Sequence, residues 1–209
     1  MSFPGFLGRK LGMTQVFDEN GSAVPVTVVE LLELTVSQVK TPEKDGYAAI
    51  QVGCVEAKSK HLTKAQQQHL AKNNLPLFRV LREFRLEADQ VANYNVGDRV
   101  SYEFLESGVA LNLTGKSIGK GTLGGIRRWG HSRGPMSHGS KSHRLPGSIG
   151  AGTTPGRVFK GLQMAGRTGN KTTTIQNLKV VRRIADKNVL LVKGSIPGCE
   201  GGLLVGKVR

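Results

Sequence analysis

The chain has 209 residues, 38% of them hydrophobic, with 30 Lys and Arg against 15 Asp and Glu, a net charge of +15 and a pI near 10.2. That length allows one sizeable domain, or one domain with an appendage, and the basic excess favours nucleic acid over an anionic membrane surface as partner. No apolar run approaches the roughly 18 residues of a spanning helix, and Met1-Ser2-Phe3-Pro4-Gly5 lacks the basic and apolar regions of a secretory leader.

In chain order, residues 5–17 carry three glycines around Arg9 and Lys10 and run into Asp18-Glu19-Asn20-Gly21, a hairpin signal. Residues 24–34 are rich in Val and Leu, with Thr27 among them, which predicts a buried strand, with 36–40 as its short continuation. A turn is expected at 42–46. Residues 47–55 alternate, placing Ala48, Ile50 and Val52 on one strand face. Thr63 is a fitting N-cap for one short, mostly polar helix over 64–72, which Asn73-Asn74 and Leu75-Pro76 end. Strands are predicted at 77–86, at 99–105 through alternating Val100, Tyr102 and Phe104, and at 109–113, with a turn at 95–98.

From 115 to 171 periodicity disappears and Gly or Pro recurs every few positions. A run of that length is either disordered or ordered by a partner. Strand signals return at 172–184, 189–192 and 203–208, with a turn at 186–188. The expected architecture is mainly β: an antiparallel barrel domain from residues 1–113 and 172–209, with one short helix and a long, largely irregular basic extension, residues 114–171, inserted between strands. The thiols Cys54 and Cys199 read as free.

Charge is concentrated in the same region. No acid stands between Glu106 and Asp186, yet that interval holds fourteen of the 30 basic residues: Lys116, Lys120, Arg127, Arg128, Arg133, Lys141, Arg144, Arg157, Lys160, Arg167, Lys171, Lys179, Arg182 and Arg183. It also holds sixteen of the 28 glycines. Unopposed cations set among Gly, Ser and Thr suit phosphate neutralisation, with the backbone approaching the polyanion closely.

The enzymatic readings of this tract fail on their own requirements. Gly119-Lys120-Gly121-Thr122-Leu123-Gly124 spells a dinucleotide fingerprint, but no acid follows at the needed distance. Gly115-Lys116-Ser117 ends like a P-loop, but Ala110 stands where its first glycine belongs. His131, His138 and His143 have no Cys, Asp or Glu in the tract to complete a metal site or to orient a Ser–His pair. No cofactor, metal, catalytic residue or small-molecule substrate is therefore assigned. Trp129 has two open readings, a stacking platform for a base or an anchor for the tract itself.

The sequence resembles the family of large-subunit ribosomal protein three, in its bacterial or organellar form, over essentially the whole chain. The resemblance rests on Leu7-Gly8-Arg9-Lys10-Leu11-Gly12-Met13-Thr14, and on the order Ser117, Gly119-Lys120-Gly121, Gly124, Arg128. It continues in His143-Arg144-Leu145-Pro146-Gly147-Ser148-Ile149-Gly150, Thr154-Pro155-Gly156-Arg157-Val158-Phe159-Lys160-Gly161 and Met164-Ala165-Gly166. It implies a barrel of the translation-protein type and a central extension threading into large-subunit rRNA toward the peptidyl-transferase region. It also implies a part in early subunit assembly and contacts with neighbouring ribosomal proteins. The expected location is the ribosome, cytoplasmic or in an organellar stroma or matrix. Some members carry a methylated Gln just before Thr-Pro-Gly. This chain has Thr153 there, so no such modification is expected.

The resulting expectation is a non-enzymatic rRNA-binding protein. Its RNA-binding residues are Arg9, Lys10, Lys116, Lys120, Arg127, Arg128, Trp129, Arg133, His138, Lys141, His143, Arg144, Arg157, Lys160, Arg167 and Lys171. The alternatives are an RNA-binding regulator outside the ribosome and an enzyme acting on nucleic acid. The enzyme would have to bring an acid to the tract from elsewhere in the chain.

Overall fold

Short apolar runs broken by turn residues become strands in the computed structural model, which describes Phe3 and residues 5–208. Met1, Ser2 and Pro4, part of the segment read for a leader, and Arg209 lie outside the described residues. The order is β1 (Gly5–Phe17), β2 (Ala23–Leu31), β3 (Thr35–Lys40), α1 (Pro42–Asp45), β4 (Ala49–Glu56), α2 (Lys64–Ala71), β5 (Phe78–Arg85) and α3 (Ala88–Val91). There follow β6 (Ala110–Lys116), β7 (Gly121–Leu123), α4 (Gly125–Trp129), β8 (Gly166–Thr168), β9 (Thr172–Ile184), β10 (Val189–Lys193) and β11 (Leu203–Val208). No helix among the described residues is long and apolar enough to cross a membrane. The chain divides into two compact units, Met1–Lys116 with Thr172–Arg209, and Ser117–Lys171.

In the first unit six antiparallel strands close a barrel in the order β1-β11-β6-β9-β10-β2. The fold class is as expected: mainly β, with a closed antiparallel barrel. Closure leaves none of these six strands with an unpaired edge. Val29, Leu111, Leu113, Leu190, Val192 and Leu204 are fully or almost fully buried, and they join one hydrophobic cluster with Phe6. Phe6 of β1 is paired with Gly206 of β11, and a Cβ at Gly206 would overlap the Phe6 ring. The glycine there is what allows an aromatic ring to lie across the neighbouring strand. The buried Thr27 hydroxyl donates to the Gly194 carbonyl at 2.6 Å, which satisfies a polar group that would otherwise oppose burial.

Several expected elements differ in detail. Residues 36–40 do not continue the preceding strand. They belong to β3, which opens a separate three-stranded sheet in the order β3-β4-β5. Residues 99–105 are not a strand, although Arg99 makes one isolated bridge to Thr35. Their alternation reflects a loop pinned residue by residue. The Tyr102 hydroxyl donates to the Leu32 carbonyl, Leu105 is buried, and Arg183 Nη1 donates to the Tyr102 carbonyl at 2.8 Å. The turn at 42–46 is the single helical turn α1, with Pro42 in its first turn and Gly46 left-handed after it. The helix expected at 64–72 is α2, closed by a capping box. Gln66 N donates to Thr63 Oγ1 at 3.4 Å and Thr63 N to Gln66 Oε1 at 3.1 Å.

Cys54 and Cys199 are both free, the first buried in β4 and the second exposed. Burial pushes the Cys54 thiol up to about 11, against smaller opposing effects of Arg82 and Arg9. In the unfolded chain it ionises near 8.5. Its raised value therefore contributes stability that is complete below about pH 8.5 and is lost as pH rises toward 11. At neutral pH a thiol reagent is expected to modify Cys199 alone in the folded protein and both cysteines in denaturant. Equal rates at the two sites would contradict this packing.

Candidate nucleic-acid interface

The second unit is a hairpin-like arm whose two limbs are zipped by their own main chain. At its base Ser117 N donates to the Lys171 carbonyl at 2.9 Å, and Asn170 N to the Ser117 carbonyl at 3.0 Å. The Ser117 hydroxyl donates to the Lys171 carbonyl at 3.0 Å and accepts from Lys171 N at 3.2 Å. β7 and β8 then pair from Gly121↔Thr168 to Leu123↔Gly166. Gly169 is needed where the limbs turn past one another. Its φ is +75, and a Cβ there would overlap the Ile118 carbonyl oxygen. The arm is largely irregular, as expected, but β7, α4 and β8 order the limbs nearest its base. The glycine count hid these elements because three-residue strands and a five-residue helix are too short to show a period.

Beyond the paired strands the carbonyl of Met164 becomes a common acceptor. Arg128 Nη1 and Trp129 Nε1 each donate to it at 2.8 Å, and the Arg128 guanidinium lies 4.8 Å from the centre of the Trp129 ring. Trp129 therefore anchors the outgoing limb to the returning one, one of the two roles open to it, while the ring stays 45% exposed. His131 Nε2 lies 3.1 Å from Gln163 Oε1. His143 Nδ1 donates to the Pro135 carbonyl at 2.8 Å, so that nitrogen carries the proton, and Gly134 N donates to the His143 carbonyl at 3.1 Å. These side chains shape the arm.

The remaining predicted residues of the arm stand differently. Lys120, Arg127, Arg133, His138, Lys141, Arg144, Lys160 and Arg167 are exposed. Arg157 is exposed and lies 5.5 Å from the centre of the Phe159 ring. The side chain of Lys171, whose backbone closes the base, is also exposed. In the first unit Lys116 is exposed at the end of β6. Arg9 is half-buried on β1, and Lys10 Nζ donates to the carbonyls of Ile196 and Gly198 at 3.1 Å each. Lys10 thereby ties down the loop before β11. The expected RNA-binding set leaves out Leu145, Ile149 and Phe159, apolar yet 69%, 47% and 58% exposed in the arm. The available signal was their position in an aperiodic stretch with no core of its own to receive them.

Among the described residues no cluster of His, Cys, Asp or Glu could hold a metal ion. What the arm presents is exposed cations on a backbone rich in glycine, suited to contact with phosphates.

Comparison with known proteins decides the family. The profile described as Ribosomal protein L3 matches residues 87–188. Large ribosomal subunit protein uL3 of Synechococcus sp. (strain JA-3-3Ab) is 52% identical over 201 residues, covering 96% of this chain and 93% of its own. Large ribosomal subunit protein uL3c of Cyanophora paradoxa is 51% identical over 200 residues, covering 96% and 95%. The chain belongs to the ribosomal protein L3 family. The L3 profile spans the whole second unit, Ser117–Lys171, and the flanking strands β6 and β9. L3 is a structural, non-catalytic family, so the acid-free arm has no reaction to serve.

Proposed function

We propose that the protein is a structural constituent of the large ribosomal subunit and binds large-subunit rRNA through residues 114–171. The arm reaches toward the peptidyl-transferase region and supports early subunit assembly. The observation that carries this reading is an arm without a carboxylate, whose limbs are joined mainly by main-chain bonds while most of its cations are exposed. Lys120, Arg127, Arg133, Lys141, Arg144, Arg157, Lys160, Arg167 and Lys171 neutralise phosphates, with Lys116 beside them in sequence. Arg128, Trp129 and His143 hold the limbs in the shape that presents those charges. Beyond His131 and Gln163 the arm has few internal bonds, and RNA supplies the contacts that offset the entropy of ordering it. Neighbouring large-subunit proteins are further partners, and the ribosome, bacterial or organellar, is the location.

The protein is expected to co-migrate with large subunits through a low-salt gradient. If six to ten phosphates are neutralised, its affinity for large-subunit rRNA falls about 10³–10⁵-fold between roughly 50 and 200 mM salt. A protein that sediments free of large subunits while binding other RNAs would be the regulator outside the ribosome instead.

A further inference from the structure

Outside the acid-free interval the charges nearly cancel, sixteen basic residues against fifteen acidic, and that balance conceals a second acid-free stretch. Residues 57–82 contain Lys58, Lys60, Lys64, Lys72, Arg79 and Arg82 and no Asp or Glu. With those six set aside, ten basic residues face the fifteen acids, so this part of the first unit is locally as one-sided as the arm.

The fold gathers part of the stretch at one place. Lys58, Lys60, His61 and Arg79 line a cavity of about 310 Å³ at the end of β4, with Glu56 the one carboxylate among its walls. Lys58, Lys60 and Arg79 are exposed, and the one ion pair among the described residues, Lys40–Glu83, involves none of them. The backbone beneath the lysines is held. Residues Ser59–His61 form a 3₁₀ turn, with His61 N donating to the Lys58 carbonyl at 2.9 Å. Gln67 Nε2, from α2, donates to the carbonyls of Ser59 at 2.7 Å and Leu62 at 2.9 Å. Val55, which also lines the cavity, has φ +60, a left-handed conformation that a β-branched residue rarely adopts, and β4–β5 pairing skips it between Cys54↔Val80 and Glu56↔Phe78. A strained residue and a held turn that carries exposed lysines thus meet beside one cavity.

We propose that Lys58, Lys60 and Arg79 form a second site for an RNA sugar-phosphate backbone, on the three-stranded sheet and separate in sequence from the arm. The charge complement selects a polyanion. Val55 and Ala57 are the only apolar walls, too little to seat the side chains of a docked peptide, whereas exposed Lys and Arg on a held turn suit phosphate contacts that position without reading sequence. The proposal shares with the function above only the choice of rRNA, and the two can fail separately.

The test is lysine acetylation of the full chain, read by mass spectrometry, free and bound to large-subunit rRNA. Bound RNA should slow acetylation of Lys58 and Lys60 several-fold relative to the exposed Lys44. The triple variant K58Q/K60Q/R79Q should lower the slope of log affinity against log salt by about 2–3. Lys58 and Lys60 reacting as fast as Lys44 while Lys120 and Lys141 are protected would overturn this site and leave the arm standing. The converse pattern would overturn the arm and leave this site. Protection by polyglutamate but not by RNA would also overturn it, in favour of an acidic protein segment. Protection of neither pair of lysines overturns both readings.

Discussion

Replacing Ser117–Lys171 with Asn-Gly is expected to leave a folded barrel and remove most of the affinity for rRNA. Lys116 and Thr172 are register partners at the ends of β6 and β9. Two residues of that type form the tight turn that joins adjacent antiparallel strands. The shorter connection also lowers the entropy of closing the loop, so the thermal midpoint of the first unit should hold or rise. Binding should behave differently. The intact protein should lose about 10³–10⁵-fold in affinity between roughly 50 and 200 mM salt if six to ten phosphates are neutralised. The shortened chain keeps Lys116 and the three cations of the sheet site and should lose about 150-fold or less over the same interval. Circular dichroism melting and salt-dependent filter binding read the two quantities separately. Unfolding of the shortened chain would refute the division into two independent units, and an unchanged salt slope would refute the arm as the main RNA contact.

The second large effect lies in the core. Phe6→Ala should destabilise the first unit by about 3–5 kcal/mol, the usual range for deleting a buried aromatic ring. Phe6 is fully buried, and its ring covers the strand opposite at Gly206, so no side chain on that strand stands ready to fill the space. Against a typical total stability of about 5–15 kcal/mol this brings the barrel close to unfolding. Urea denaturation followed by far-ultraviolet circular dichroism is the suitable measurement, because the single tryptophan, Trp129, belongs to the other unit. A loss under about 1 kcal/mol would mean that the ring is not the centre of the barrel packing.

The strands of the barrel were legible because their signals are local. Asn20-Gly21 joins β1 to β2, and the Val-rich run before Leu31 is β2 itself. The alternation after Thr172 becomes β9, and Asn188, left-handed, ends the turn before β10. The capping box at Thr63 and Gln66 is also a short-range pattern, and α2 starts where that pattern places it. Less was legible where apolar residues are buried without regular structure. Val100, Tyr102 and Phe104 mimic a strand, yet the loop that holds them ties Tyr102 to Leu32 and to Arg183 of β9 and buries Leu105, which is out of the alternation. In the candidate interface, residue types pointed to phosphate, but they did not separate cations that face outward from side chains that hold the arm together. Arg128 differs from Arg127 in meeting the Met164 carbonyl, 36 positions away in the chain, and the face of Trp129.

By itself the sequence determined the chemistry: an excess of charge confined to one acid-free interval, the glycines that let that interval bend, and the alternating apolar runs on either side of it. Composition and short-range pattern are properties of neighbouring residues, so they can be read without a fold. The tertiary structure decided what depends on distant partners. It placed β3, β4 and β5 in their own sheet, closed the barrel by pairing β1 with β11, turned Lys10 onto the loop before β11, and set Lys58 and Lys60 beside Arg79. Each of these is a meeting of groups separated by many residues, fixed by strand register and burial across the whole unit and by no property of either segment alone.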